Sequence, residues 1–578
     1  MTYTTIQDGQ RVPPTATMPY KKRTNNGKIS FKDFLANQGY DIEIFKLIQN
    51  PPDMNDKWLL HDIKLAIELI LQAKKIAVIA DYDTDGITAA TITVKGLQRI
   101  GKDVIFFIPN RFKDGYGLNV NLVNKSIDCG ADLILTVDNG IAAYDAVQHA
   151  KDCGLKVIVT DHHNIVKLPP ADAIVHPAME PYPFANISGC QTAYKIVLAL
   201  FEQLNIKDEF LERYFLQLST LSIISDVMPV ASKNMEINEN RKWLIDGLKS
   251  INENPDEHIH ALMKAYEFER VDETVLGFYV IPCINAVGRL EDATYAVDFF
   301  LGDTDSKEFF QAVEEIRKIN ERRKKMVADQ LEELVPLYSP KGRSVIIVGE
   351  EVHEGIIGLI AGKYSSGKGT VSFCFSHATK DGKNYFYKAS GRNDTSISMV
   401  KMLEEMPEGI MMGFGGHKDA CGLSVYEDKL DDFIQFVNDY CDKYAVPNQP
   451  YLFNLPQYQL KSIENYVNRM KPFGNGFALP VVKTKFQINS IMTTTSGFTK
   501  LEAKKGYEKI DMWIKEGLPQ EIRDILEACE NKKVHPSGAV TYNINPIYVN
   551  MELEISYGYS KRKTDKEFSY NCLKIELA

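Results

Sequence analysis

Four short clusters carry the residues of this 578-residue chain that could do chemistry. The first is Asp81, Asp83 and Asp85, spaced two apart and closed by Gly86. The others are Asp138-Asn139-Gly140, Asp161-His162-His163, and Asp226 within Ser225-Asp226-Val227-Met228-Pro229. Three carboxylates within five residues repel one another and lose solvation, so the cluster is costly unless cations neutralise it. Hard divalent ions with oxygen ligands do this, which points to Mg²⁺ or Mn²⁺. The same letters match the first half of a calcium EF-hand loop, D-x-D-x-D-G. That loop requires a bidentate Glu six residues past the glycine, where this chain has Ile92. An EF-hand also follows a helix, whereas Ile76–Ala80 has the composition of a buried strand, and calcium is rejected.

The elements that must position these residues follow from the alternation of the text. Strand-like runs occur at Ile76–Ala80, Val104–Ile108, Leu133–Val137, Val157–Thr160 and Ala173–Val175, with helical stretches between most of them. This predicts a parallel sheet covered on both faces, with ligands gathered outside the carboxyl ends of its strands. Asp81, Asp138 and Asp161 each follow such a run. One acid after a strand is ordinarily a helix N-cap; three on one sheet edge predict a site. A helical pattern from Phe210 to Ile224 delivers Asp226, which taken alone reads as a plain helix-end residue.

The remaining text divides the chain provisionally. Residues 1–50 read as an N-terminal arm, loose up to about Lys28, in which Lys21-Lys22-Arg23 is a solvated cluster. Residues 51–250 form the first α/β domain, and 251–334 a helical connector with the basic run Arg317 to Lys325. This run, with Arg317, Arg322 and Arg323, is either a solvated face or a path for phosphates. A second alternating segment covers 335–449. Within it, Gly362 to Gly369 nearly matches a P-loop, but Gly369 stands where Ser or Thr must reach Mg²⁺, so it is a surface turn. Phe414-Gly415-Gly416-His417 pairs adjacent glycines, which let backbone N–H groups approach a phosphate, with a histidine donor. Residues 450–578 contain short strand-like runs (Val481–Ile488, Val540–Tyr542, Ile547–Ile555 and Leu573–Leu577), which predict a small barrel.

Composition sets the outer limits. The chain is 44% hydrophobic and 25% charged, the mixture of an ordinary soluble protein. No apolar run reaches membrane-span length, so no membrane role is expected. Nine scattered cysteines without a C-x-x-C pair argue for reduced thiols in a cytoplasm and against structural zinc. The net charge of −10 requires any nucleic acid to be held by local basic patches.

D-x-D-x-D-G, D-N-G, D-H-H and S-D-V-M-P, in this order and at these intervals, resemble the four motifs of the DHH phosphoesterase superfamily. Asn110 to Leu118, Tyr182-Pro183-Phe184, Ile284 to Leu290, His353 to Ala361, Phe414 to His417 and Lys471 to Gly474 narrow the resemblance to its RecJ branch. It runs from about Leu60 to Pro480. It implies an α/β fold with a parallel-sheet DHH domain and a smaller DHH-associated domain joined by a long helix, followed by an OB-like barrel.

The implied activity is metal-dependent 5′-to-3′ hydrolysis of single-stranded DNA to 5′-mononucleotides, in recombination and repair, with two Mn²⁺ or Mg²⁺ ions. By the same resemblance, Asp138 bridges the two ions. Asp83 holds one ion, and Asp85, His162 and Asp226 hold the other. Asp81 is a ligand or an outer support. His163 orients phosphate or donates a proton, although a His-His pair is equally compatible with one ligand and one packed side chain. Arg289, Arg392 and His417, with Gly415 and Gly416, hold the terminal phosphate. The branch usually has a further serine after the arginine, where this chain has Asn393. Phe498, Tyr507, Trp513 and Tyr542 are candidates for stacking on bases.

The expected partners are single-stranded DNA and a single-stranded-DNA-binding protein or helicase. Two other classes compete. Phosphodiesterases of short oligonucleotides or cyclic dinucleotides, and pyrophosphatases, use the same chemistry but stop after the second domain. Non-catalytic replication-helicase subunits keep the fold without the ligands, all of which are present here.

Overall fold

In the computed structural model, the described residues are 30–577 apart from 38–41, 113, 116, 232–236, 350, 382–383, 449–451, 455–459, 495–498, 506–507 and 515–516. The basic cluster at 21–23 and the stacking candidates Phe498 and Tyr507 therefore lie outside the described residues.

The first sheet is built from β1 (Lys75–Ala80), β2 (Asp103–Phe107), β3 (Leu133–Val137), β4 (Lys156–Thr160) and β5 (Ala173–Val175). All neighbours are parallel, in the order β2-β1-β3-β4-β5. Strands β1 and β3 are buried along almost their whole length, as a sheet covered on both faces requires. Helices Thr84–Arg99, Gly189–Gln203 and Glu209–Ser225 supply one cover and contribute to the largest apolar core. The order in which strands are added reverses between β1 and β3, with β2 on one side and β3, β4 and β5 on the other, the place where an open parallel sheet leaves a crevice at its carboxyl edge.

A helical region follows, ending in the 27-residue helix Lys307–Glu333. The second sheet combines β6 (Leu337–Tyr338), β7 (Ser344–Val348), β8 (Val371–Asp381), β9 (Asn384–Asn393), β10 (Met411–Gly416) and β11 (Ala420–Tyr426), in the order β10-β11-β9-β8-β7-β6. The segment Gly362 to Gly369 is the end of helix Ile357–Ser365 and the turn after it, not a loop opening a helix.

The last sheet joins β12 (Leu452–Asn454), β13 (Val481–Thr493), β14 (Thr499–Lys505), β15 (Glu508–Ile514), β16 (Lys532–Val534), β17 (Val540–Tyr559) and β18 (Lys566–Leu577). Its order is β12-β13-β14-β15-β18-β17-β16, and β13 also pairs with β17. That extra pairing closes β13-β14-β15-β18-β17 into a five-stranded barrel, with helix Gln520–Glu527 between β15 and β17. The β15–β18 pair is parallel and the others in the ring are antiparallel, the Greek-key arrangement of an OB-fold. Where the sequence suggested two separate runs at 540–542 and 547–555, the chain forms one 20-residue strand. It pairs with both β13 and β18.

Two features depart from the expected partition. The end of the supposed arm folds as helices Phe31–Asn37 and Ile42–Gln49, and Phe34, Leu35 and Ile48 are fully or almost fully buried. They join the apolar core of the barrel, with Phe31 packed on Tyr466 and under the guanidinium of Arg469. The same core includes Val230, Ala231, Ile237 and Leu244 of the first lobe. Buried Arg241 fastens the junction by donating to the carbonyls of Ile48, Met470, Lys471 and Pro472. The Lys471–Gly474 motif is thus a structural joint: Lys471 pairs with Asp272 at 3.2 Å, and Phe473 donates its N–H to Glu273.

Candidate metal centre

The register of the first sheet assembles the acids. Ala80 is paired with Val137, and Val137 with Thr160, so Asp81, Asp138 and Asp161 leave their strands side by side. Asp83 caps the helix Thr84–Arg99 by accepting from the Gly86 N–H at 3.1 Å. Asp85 then lies in the first helical turn, where it accepts from the N–H groups of Gly189 and Cys190, both at 2.9 Å, and from Ser222 Oγ at 2.5 Å. The N-terminus of helix Gly189–Gln203 therefore fixes this carboxylate, as the helix dipole favours. Asp138 sits at φ +61°, a left-handed conformation that Asp and Asn adopt more readily than most side chains.

His162 Nε2 lies 3.1 Å from Asp138 Oδ1 and 3.6 Å from both Asp85 Oδ2 and Asp226 Oδ2. Two ligand groupings emerge, Asp81–Asp83–Asp138 and Asp85–His162–Asp226, with ligand atoms within 4.8 Å of one another in each. A third, Asp138–His162–His163, overlaps both. Among the described residues, buried Asp81 Oδ1, Asp138 Oδ1 and His162 Nε2 have no hydrogen-bond partner. Atoms of this type left bare in a buried site fit divalent cations with oxygen and imidazole ligands.

The electrostatics agree. Burial, then the neighbouring Asp83 charge, pushes the Asp81 carboxyl up to about 8. Burial and Asp85 likewise raise Asp83, and raise Asp138 and Asp226 well above the ordinary carboxylate range. Added positive charge favours the ionised form of every one of these carboxyls. Burial, followed by the adjacent His163, lowers His162 to about 4, leaving it neutral and able to serve as a ligand.

The structure separates Asp161 from the other strand-end acids. Its Oδ1 accepts from the N–H groups of His162 (2.7 Å) and His163 (3.1 Å) and lies 2.7 Å from His163 Nδ1, while Oδ2 accepts from the Ile141 N–H (2.9 Å). Burial alone would raise Asp161, but these contacts outweigh it and hold the carboxyl below its usual range. Burial opposes a charged His163, yet the hydrogen bond and charge of Asp161 lift it to about 9. Asp161 is therefore a positioning group that holds His163 protonated. The ring of His163 stacks on that of His417 from the second lobe, with centroids 5.7 Å apart and planes at 20°.

A cationic half faces the acids. Asn285 accepts from the N–H (2.9 Å) and Oγ1 (3.0 Å) of Thr84, pinning the helix Ile281–Leu290 against the acidic loop. Gly288 permits the contact, since a Cβ there would fall 2.0 Å from the Tyr82 carbonyl oxygen. Arg289 follows, donating to the Gly355 carbonyl of the second lobe at 3.2 Å. Gly355 is equally tight: a Cβ would lie 1.9 Å from the Arg289 carbonyl oxygen. Burial, then Arg111, Arg392 and Arg323, lowers Arg289 to about 9. Arg392 is anchored on β9 by bonds from Nη1 to Ser390 Oγ (2.9 Å) and the Gly391 carbonyl (2.7 Å).

Four guanidiniums thus crowd together, and two of them were placed elsewhere or passed over by the sequence reading. Arg111, from the loop after β2, lies 4.1 Å over the Tyr82 ring, and its buried Nε has no hydrogen-bond partner. Its signal was its position after a strand at the ligand-bearing edge. Arg323 turns inward and bonds Asn320 Oδ1 at 2.6 Å, whereas Arg317 pairs with Glu314 at 2.8 Å and Arg322 with Glu291. The basic run is hence divided between a solvated face and one residue of the arginine cluster. Gly415 and Gly416 lie exposed on β10, and His417 follows.

Comparison with known proteins gives this geometry a family. The description "DHH family, N-terminal domain" matches residues 75–223 and "DHHA1 domain" matches 342–443. The single-stranded-DNA-specific exonuclease RecJ of Escherichia coli is 30% identical over 418 residues, which cover 67% of this chain and 70% of that protein. The chain belongs to the RecJ family. The RecJ of Bacillus subtilis is 30% identical over 423 residues, covering 71% of this chain but only 52% of its own length. The chain thus spans about half of that relative. A crystal structure of Thermus thermophilus RecJ in complex with Mn²⁺ superposes with a TM-score of 0.72 over 92% of this chain and 74% of that one, at 23% identity. The α/β architecture and strand-rich C-terminal region are therefore the RecJ fold.

Proposed function

We propose that this chain is a metal-dependent exonuclease that hydrolyses single-stranded DNA from the 5′ end to 5′-mononucleotides. The observation that carries the reading is the opposition of the two halves: a cation-deficient set of acids faces a cluster of unneutralised arginines across one crevice. A phosphodiester is the group that belongs between them. Asp81, Asp83 and Asp138 would hold one divalent ion, and Asp85, His162 and Asp226, sharing Asp138, the other. Such ions supply Lewis acidity and a water nucleophile at neutral pH. His163, held by Asp161, would donate a proton to the leaving oxygen. Arg289 and Arg392, with Arg111, Arg323 and His417, bind the terminal phosphate and orient it.

The OB-like barrel supports a long polymer over a dinucleotide substrate, and its exposed Trp513, with Lys500 Nζ 5.9 Å from the ring centroid, is of the chemical type that stacks on bases. Tyr542 is paired in the same manner with Lys532. The 5′ polarity rests on the RecJ-branch motifs Asn110–Leu118 and Ile284–Leu290. A strand-separating helicase or a single-stranded-DNA-binding protein would supply the substrate. None of the nine cysteines is joined in a disulfide among the described residues, which suits a reducing cytoplasm.

End-labelled digestion of 5′- and 3′-labelled single-stranded and duplex DNA and RNA, with Mn²⁺ or Mg²⁺, tests the reading. Release of 5′-mononucleotides from the 5′ end of single-stranded DNA is expected. Degradation from the 3′ end of a strand whose 5′ end is blocked would overturn the polarity.

A further inference from the structure

We infer that an apolar pocket behind Asp226 receives one unpaired nucleobase of the strand being processed. The inference rests on the nucleic-acid reading above and assigns a binding site that the metal centre and arginines do not include. The pocket has a volume of about 320 Å³, at the small end of ligand cavities. It opens between the first lobe and the joint leading to the barrel. Its walls are chiefly Ile224, Val227, Met228, Phe278, Phe473 and Leu479; its polar groups are Asn475, Thr274 and Glu273, whose carboxylate accepts from the Phe473 N–H and pairs with Lys471.

Three observations select a base as the occupant. First, Val227 immediately follows the proposed ligand Asp226, so the two side chains issue from one turn, and a strand bound at Asp226 has this pocket as its neighbour. Second, Phe278 is 72% exposed and Val227 61% exposed. A large aromatic ring and a branched aliphatic side chain left open beside an apolar cavity form a surface suited to a flat heteroaromatic ligand, with Asn475 Oδ1 and the Thr274 side chain at its edge. Third, the surrounding backbone is unusual at both residues. Phe278 lies in a π-helical turn, Leu276–Val280, a distortion frequent at functional sites. Val227 has φ +53°, strained for a β-branched residue, and Asn475 Nδ2 bonds its carbonyl at 2.7 Å.

The helix that carries Phe278 also continues into Arg289. At 1.5 Å rise per residue the two positions are about 16 Å apart along its axis. At 3.4 Å per stacked nucleotide that is on the order of five nucleotides, and fewer for an extended strand. The same rod would thus set the distance between the base pocket and the phosphate clamp. The selection is for an unpaired base: a cavity of this size has no room for a base pair.

The test measures binding of 5′-phosphorylated oligonucleotides to the Asp138→Asn protein with Mg²⁺, with a single abasic residue walked through positions 1 to 8. Phe278→Ala and Phe278→Tyr are then compared on that background, after their melting transitions are checked. One position, within about five nucleotides of the 5′ end, is expected to lose about 5- to 150-fold in affinity when abasic. Phe278→Ala should weaken binding of the intact strand by a similar factor and become indifferent to the abasic residue at that position. Phe278→Tyr should restore both. A flat abasic profile, or equal abasic sensitivity in Phe278→Ala and the parent, overturns the inference. If wild-type protein digests single-stranded DNA normally in that event, only the pocket assignment fails. If it neither binds nor digests nucleic acid, the functional reading has failed with it.

Discussion

The acidic and the cationic halves of the crevice are opposites in charge and also in construction. Every acid comes from the first lobe, on strand ends or helix ends that one sheet holds in register. The arginines come from the loop after β2, the helix Ile281–Leu290, the long helix Lys307–Glu333 and β9 of the second lobe. Both halves carry poorly compensated charge: burial and neighbouring acids push Asp138 up, and burial and neighbouring arginines push Arg289 down. The acidic half is rigid by topology, whereas the cationic half depends on how the lobes meet, through contacts such as that between Arg289 and Gly355. Metal affinity should therefore belong to one lobe, and phosphate capture to the closed pair.

The strongest way to break this division is Asp138→Asn. Asparagine tolerates the left-handed backbone at this position and removes the carboxylate common to two ligand groupings. Turnover should be abolished, as it should be by chelation, with recovery on Mn²⁺ or Mg²⁺ only in the wild type. Near-normal turnover by the variant would refute a shared carboxylate. Folding should survive, because an unpaired buried charge is a liability without cations.

Arg289→Ala and Arg392→Ala strike the other half. Each should cost about 10- to 150-fold in kcat/KM, the magnitude of a charge-assisted contact to phosphate. Calorimetric Mn²⁺ affinity should stay unchanged, since neither side chain is a ligand. Lost Mn²⁺ binding would show that the two halves are not separable.

Trp513→Ala probes a region outside both. A half-exposed stacking residue is worth about 1 kcal/mol, or roughly 5-fold, in binding a long strand. The penalty should grow with strand length, and a penalty independent of length would assign the ring to packing. Removing the whole of 454–578 is a poorer probe, because it strips apolar cover from Val230 and Leu244 in the core that the first lobe shares with the barrel.

The last effect is on stability. Asp81, near 8 in the folded chain against 3.8 for an unperturbed group, binds more protons folded than unfolded between those values. Stability of the chelated protein should then fall as pH rises from about 4 to 8. Added Mn²⁺ should raise the melting temperature more at pH 8 than at pH 5, since ligation displaces protons. Equal shifts at both pH values would contradict the protonated state of the free site.

The sequence by itself determined the parallel sheet and the acids on its edge. Buried strands of β1 and β3 type are written as continuous apolar runs, and every proposed ligand except Asp226, which ends a helix, follows such a run, so local order carried the spatial order. It also distinguished the metal motif from an EF-hand, because one missing Glu decides that question locally. Only the tertiary structure divided the strand-end acids by role. Asp161 has the same local setting as Asp138, but its oxygens are taken by the N–H groups of Ile141, His162 and His163. It likewise recruited Arg111 and Arg323 and left Arg317 and Arg322 in ion pairs, a choice fixed by which side of a long helix meets the arginines of the cleft. The barrel closed through the β13–β17 pairing of residues far apart in the chain, and the helices at 31–49 found their core in it. Neither contact has a local signature, because burial against a distant surface is a property of the folded whole.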